Sequence, residues 1–133
     1  MKKTIFALII VFVTNFVGMY FSVDSFWWFD MSIHFLGGFF MAMLMFHYLK
    51  INELRIANCE LGKIKKYLII LGAVSFIGVV WEFAEYLASQ TLIEPIYNSF
   101  SIRAYFIGDL DDTINDLLMD ILGALSFMFI KRR

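Results

Sequence analysis

Asp30-MSIHFLGGFFMAMLMFHYL-Lys50 holds a run, 31–49, free of Lys, Arg, Asp and Glu between one acidic and one basic residue. A helix needs roughly 20 predominantly apolar residues to cross a bilayer, so this run reads as a transmembrane helix. Working outward, comparable runs occupy 5–22 before it and 67–88 and 113–130 after it. The single proline, Pro95, falls outside all four, so nothing breaks a helix within them. The pattern predicts an all-α fold: an integral membrane bundle of four transmembrane helices forming one domain over 1–133.

Composition agrees. Hydrophobic residues make up 61% of the chain, against about 45–50% in a soluble domain. Sixteen Phe and eight Met would overfill a soluble core of this size. The net charge of -1 gives no reason to expect a nucleic-acid partner. Cys59 is the only cysteine, which excludes an intrachain disulfide and any CxxC metal site. Lys2 and Lys3 precede the first run as they would in a signal peptide. Bulky Met19-Tyr20-Phe21 then stands where a small-residue cleavage site belongs, so the run reads as a retained helix. Asn15, Gly18 and Ser22 share one face of it, as bundle packing requires.

Basic residues set the orientation. Lys2 and Lys3 precede the first span; Lys50, Arg55, Lys63, Lys65 and Lys66 lie between the second and third; Lys131, Arg132 and Arg133 follow the fourth. Four spans put all of these on one side. Both termini and the 50–66 segment are therefore expected in the cytoplasm, with 50–66 able to form a short amphipathic surface helix. Loops 23–30 and 89–111 face outward, carrying Trp27, Trp28, Tyr97 and Tyr105 as interfacial aromatics and Arg103 as the lone basic residue of that side.

On this topology the acidic residues gather. Asp30 and His34 open the second span at its outer end; Glu82 and Glu85 close the third; Asp109, Asp112, Asp116 and Asp120 run from the outer loop into the fourth. At about 1.5 Å of rise per residue, three helices of alternating direction carry these groups to a similar depth. Ser75, Gly78, Glu82, Glu85 and Ser89 form one stripe, Asp112, Asp116, Asp120 and Gly123 a second, and Asp30, His34, Gly37 and Gly38 a third. Small residues beside charges let backbones approach, so each stripe is expected to face the bundle interior. A charged residue at the centre of a membrane helix costs roughly 2.5–3.5 kcal/mol, less off-centre. No Lys or Arg lies in any of the four spans. Compensation must come from protons held on the carboxyls or from a bound cation. Oxygen ligands with one imidazole suit Mg²⁺, Mn²⁺, Fe²⁺ or Zn²⁺, and an all-oxygen subset suits Ca²⁺.

Each residue also has a plainer reading. Asp30, Ser32, Asp111 and Asp112 can cap helices, and Asp109 after Gly108 can serve a turn. Glu82 and Glu85 can bond Asn15 or a tryptophan indole. His47 lies at the cytoplasmic end, away from the cluster, and Met41, Met43 and Met45 suit packing better than a soft-metal site. Asp116 and Asp120 are the hardest to explain by a structural role alone.

These residues also carry a resemblance. Asp30-Met-Ser-Ile-His34-Phe-Leu-Gly-Gly resembles the Asp-x-x-x-His-Phe-x-x-Gly stretch of the YjdF-like inner-membrane proteins. Trp81-Glu82-Phe-Ala-Glu85 resembles their Tyr-Glu-x-x-Glu-Trp segment, and Gly108-Asp109-Leu-Asp-Asp112-Thr113-Ile-Asn-Asp116 their Gly-Asp-x-x-Asp-Thr-x-x-Asp segment. The likeness covers spans two to four; the chain is shorter than that family's pattern. A more distant likeness is to VanZ-like proteins. The resemblance implies a bacterial cytoplasmic-membrane location and implies no reaction.

Three functions compete. A metal-dependent membrane hydrolase or transferase would use Asp30, His34, Glu82, Glu85, Asp109, Asp112 and Asp116 as ligands and Asp120 or Glu82 as base. It would act on a lipid headgroup or lipid-linked substrate, with Arg103 available to an anionic group. A cation or proton transporter, or its accessory subunit, would use the carboxylates as an ion path. A structural or interaction protein would use them to lock the bundle.

Overall fold

The computed structural model describes residues 1–21, 26–51, 60–102, 104, 106 and 108–132. They form five helices and, among the described residues, no strand: α1 Lys2–Tyr20, α2 Trp27–Ile51, α3 Glu60–Thr91, α4 Ile93–Phe100 and α5 Leu110–Arg132. Each long apolar run is a helix, and α2, α3 and α5 extend beyond the expected limits at both ends. Trp27 and Trp28 accordingly belong to the first turn of α2 and not to a loop. Residues 60–66, expected in a surface helix, are the first turns of α3; the rest of that segment, 52–59, lies outside the described residues. The connection 89–111, expected on the outer side, contains α4, which apolar-run length alone does not announce. Pro95 sits in its first turn, where a missing N–H costs nothing.

Three segments are long and apolar enough to cross a membrane: Trp27–Leu49, Ile64–Thr91 and Leu110–Lys131. The fourth expected span is α1. Its 19 residues rise about 28 Å, just under a hydrocarbon core of about 30 Å, and Lys2 and Lys3 occupy its first turn.

Packing follows the glycines. A side chain at Gly38 of α2 would run into the Asp120 backbone of α5, and one at Gly123 of α5 into the backbones of Phe35 and Phe39. The two helices thus meet main chain to main chain, as small residues permit in lipid. Away from this crossing, Ala42, Leu49, Ile70, Val74, Ala124, Phe127 and Met128 form the buried core. Phe127 meets Phe39 and Phe46 edge to face, at 5.5 and 5.8 Å between centroids. Met41, Met43 and Met45 pack around it, as expected. Most remaining Phe, Leu and Ile side chains are exposed on the bundle's flanks, which is where lipid is the solvent.

The bundle is polarised along its length. At one end Lys66 of α3 and Lys131 of α5 stand over the Phe46 ring of α2, 3.9 and 5.6 Å from its centroid. His47 sits at this end, its Nδ1 2.7 Å from the Met43 carbonyl. The acidic residues gather at the opposite end. α1 packs on α2, with Gly18 making room for the Phe29 ring. It makes no close backbone approach to α3 among the described residues.

Candidate functional site

His34 stands at the centre of the acidic end. It lies seven residues into α2, about 10 Å from the helix start, and is 4% exposed. Its Nε2 faces Asp30 Oδ1, one turn earlier on α2, and Glu82 Oε1 of α3, each at 3.9 Å. Its Nδ1 faces Asp120 Oδ2 of α5 at 3.5 Å. Glu82, Asp116 and Asp120 are as deeply buried, at 7%, 3% and 7% exposure. The three spans thus each deliver buried ionisable groups to one point, at the faces their small-residue stripes predict.

The glycines explain why carboxylates fit there. A Cβ at Gly78 of α3 would collide with the Asp120 carboxylate, so this position holds the space that Asp120 fills. Gly38 lets the Asp120 backbone close on α2. Thr113, one turn before Leu117 on α5, stands beside the Glu82 carboxyl. Its part in the site was visible in the sequence only as the Thr of the Asp112-Thr113 motif.

The separations decide what the cluster is. A nitrogen-to-oxygen hydrogen bond spans roughly 2.7–3.2 Å, so contacts of 3.5–3.9 Å are too long to satisfy buried charge. His34 Nε2, Glu82 Oε1 and Asp116 Oδ1 are fully buried and make no hydrogen bond. Two atoms coordinating one ion at about 2.0–2.2 Å each stand up to about 4.4 Å apart. Two overlapping sets come near that limit, with ligand atoms all within 4.8 Å of one another: Asp30, His34 and Asp116, and His34, Glu82 and Glu85. The donor set of one imidazole and several carboxylates is of the kind that could hold a divalent cation.

Other sequence expectations divide. Glu85 accepts a hydrogen bond from Trp81 Nε1 at 2.8 Å, the indole partner that a structural role requires. Asp109, expected as a ligand, caps α5: its Oδ1 accepts the Asp112 N–H at 3.1 Å, satisfying one of the open donors of the first turn. Asp112 packs against Gly108, where any side chain would meet its carboxylate. Neither joins a ligand set among the described residues, and Asp111 occupies the first turn of α5. Asp30 and Ser32 do not cap α2, because the helix begins at Trp27; Ser32 Oγ instead donates to the Trp28 carbonyl at 2.6 Å. Asn15 bonds neither glutamate among the described contacts and lines a cavity beside His34. Arg103 and Tyr105 lie outside the described residues.

No curated protein and no solved structure matches the chain, so the VanZ-like resemblance gains no support. One family matches over nearly the whole length, and its description as a membrane protein agrees with three helices able to span a bilayer. By that match over residues 2–133, the chain belongs to the family described as predicted membrane protein DUF2238.

Proposed function

We propose that this chain is a four-span membrane protein that binds one divalent cation in the outer half of the bilayer and uses it on a lipid or lipid-linked substrate. The observation that carries the reading is that three buried atoms from three different helices, His34 Nε2, Glu82 Oε1 and Asp116 Oδ1, make no hydrogen bond, and that two possible ligand sets share His34. Asp30 and Glu85 complete the oxygen donors. Asp120 is better suited to positioning than to proton transfer. It faces the other ring nitrogen, as the carboxylate partner of a metal-ligating histidine commonly does. A divalent ion held there supplies Lewis acidity toward a phosphoryl or ester oxygen.

Orientation follows from the polarised bundle. Lys66 and Lys131 mark the cytoplasmic end, so the cluster belongs to the outer side, with α1 as the fourth span and both termini inside. The motifs of α2, α3 and α5 favour a YjdF-like protein of the bacterial cytoplasmic membrane. Ion transport is less well supported: among the described residues, the core between the cluster and the lysine end is apolar, made of Ala42, Ile70, Val74, Ala124 and Phe127.

Elemental analysis of the gently purified protein tests the reading. Near-stoichiometric Mg, Mn, Fe, Zn or Ca is expected, lost in His34→Ala and in a Glu82→Gln/Asp116→Asn double variant. Asp120→Asn should retain the site with affinity about 10–100-fold weaker. Metal-free wild-type protein, or variants that keep full occupancy, would refute it.

A further inference from the structure

Beside the cluster lies a half-open cavity of about 370 Å³, within the roughly 300–1,000 Å³ typical of small-molecule sites. Leu8 and Phe12 of α1, Met41 of α2 and Val74 of α3 line its apolar length, while Asn15, His34, Trp81 and Asp120 stand at its other end. The three walls agree on direction. The cavity runs from Asn15 to Ile5 along α1 and from His34 to Leu44 along α2, about 15 Å of helix rise in each case. That volume over that length leaves a mean cross-section of about 25 Å², the girth of one hydrocarbon chain. α1 and α3 make no close backbone approach; the Phe12 and Trp81 rings bridge the gap at 5.8 Å.

The geometry points to a binding site for one acyl chain of a membrane phospholipid, entering between α1 and α3 and bringing its ester end to His34. Water gains nothing in an apolar slot, which offers it no partners. At this depth the surrounding solvent is acyl chain. His34 lies about 10 Å along α2 from its start, inside the candidate span Trp27–Leu49, so an acyl ester must be drawn below the interface to meet it. The long axis of the cavity then follows the chain, and its polar end meets the first groups a hydrocarbon tail does not supply. The ester chemistry rests on the cation-site reading; binding of the chain rests on the cavity alone.

Full-length protein in nanodiscs, doped with phosphatidylethanolamine carrying a diazirine on one acyl chain, tests this. Photolysis should label Leu8, Met41 and Val74 above the outward-facing Phe6, Phe76 and Phe129. Met41→Trp and Leu8→Trp, which fill the cavity from opposite walls, should each lower cavity labelling at least fivefold, whereas Phe6→Trp should leave it unchanged. Metal content of the two filling variants should match wild type, and Glu82→Gln/Asp116→Asn should lose metal while keeping the label. Failure of the metal arm alone thus strikes the cation site and not the chain site. Uniform labelling of the flanks, no effect of either filling variant, or cross-linking of α1 to a second copy of the chain across the cavity would overturn the proposal.

Discussion

Single residues carry the packing, and glycine is the most informative of them. Gly38 and Gly123 are positions where a Cβ has no place, because the opposing atoms are backbone. Gly72 is the internal control, with nothing near enough to touch an added methyl. Gly38→Ala and Gly123→Ala should each destabilise the bundle by about 1–3 kcal/mol, the usual cost of overpacking; Gly72→Ala should be neutral. Thermal melts of the three variants in one detergent check this, and equal melting temperatures would contradict the main-chain contact. The sequence revealed these glycines through their position on the stripes with Asp120 and His34. It could not say that Gly78 serves a side chain and Gly38 a backbone, since that depends on helix rotation. The indole bond to Glu85 was one of two options in the sequence, and only the rotamer of Trp81 separates them. A Trp81→Phe variant should lose about 1–3 kcal/mol through the buried acceptor left unmade, read by the same melts.

At the scale of elements, α4 adds what run length does not reveal. It is too short to span, and none of its residues is buried. Ile93, Ile96, Tyr97 and Phe100 recur at helical spacing and Ile93, Tyr97 and Phe100 are exposed, with Glu94 and Asn98 between them. Such a helix suits the membrane interface, lying along it with its apolar face in the acyl boundary. A Phe100→Cys variant in a Cys59→Ser background should react with a membrane-impermeant thiol reagent added outside intact cells. An environment-sensitive dye attached there should report a surrounding less polar than water. Labelling only after the membrane is opened would reverse the orientation, and a fully aqueous spectrum would lift α4 off the interface. The long helices were legible because long apolar runs have one economical conformation in lipid. Their ends were not, because interfacial residues such as Trp27, Trp28 and Ser89 are acceptable in helix or loop. The first-turn cap was assigned by sequence to Asp111 or Asp112, and the start of α5 at Leu110 gives it to Asp109.

The whole molecule joins a lysine-marked end, an apolar middle and an acidic end. That order follows from topology, since alternating helices carry the start of α2, the close of α3 and the opening of α5 to one level. The gathering of acidic groups at one end is therefore legible in the sequence. Two of the expected ligands stand apart from it: Asp109 caps the start of α5 and Asp112 packs against Gly108. The central claim is that three spans hold one cation among buried atoms that hydrogen bonds leave unsatisfied. The most direct test is an experimental structure of the full-length protein, with anomalous data collected at metal edges. The account predicts one peak beside His34, shared with Asp30 and Asp116 or with Glu82 and Glu85, at about 2.0–2.2 Å from its ligands for Mg²⁺ or a transition metal and about 2.3–2.6 Å for Ca²⁺. No peak, with His34 and Glu82 closed to hydrogen-bond distance on each other, would contradict it.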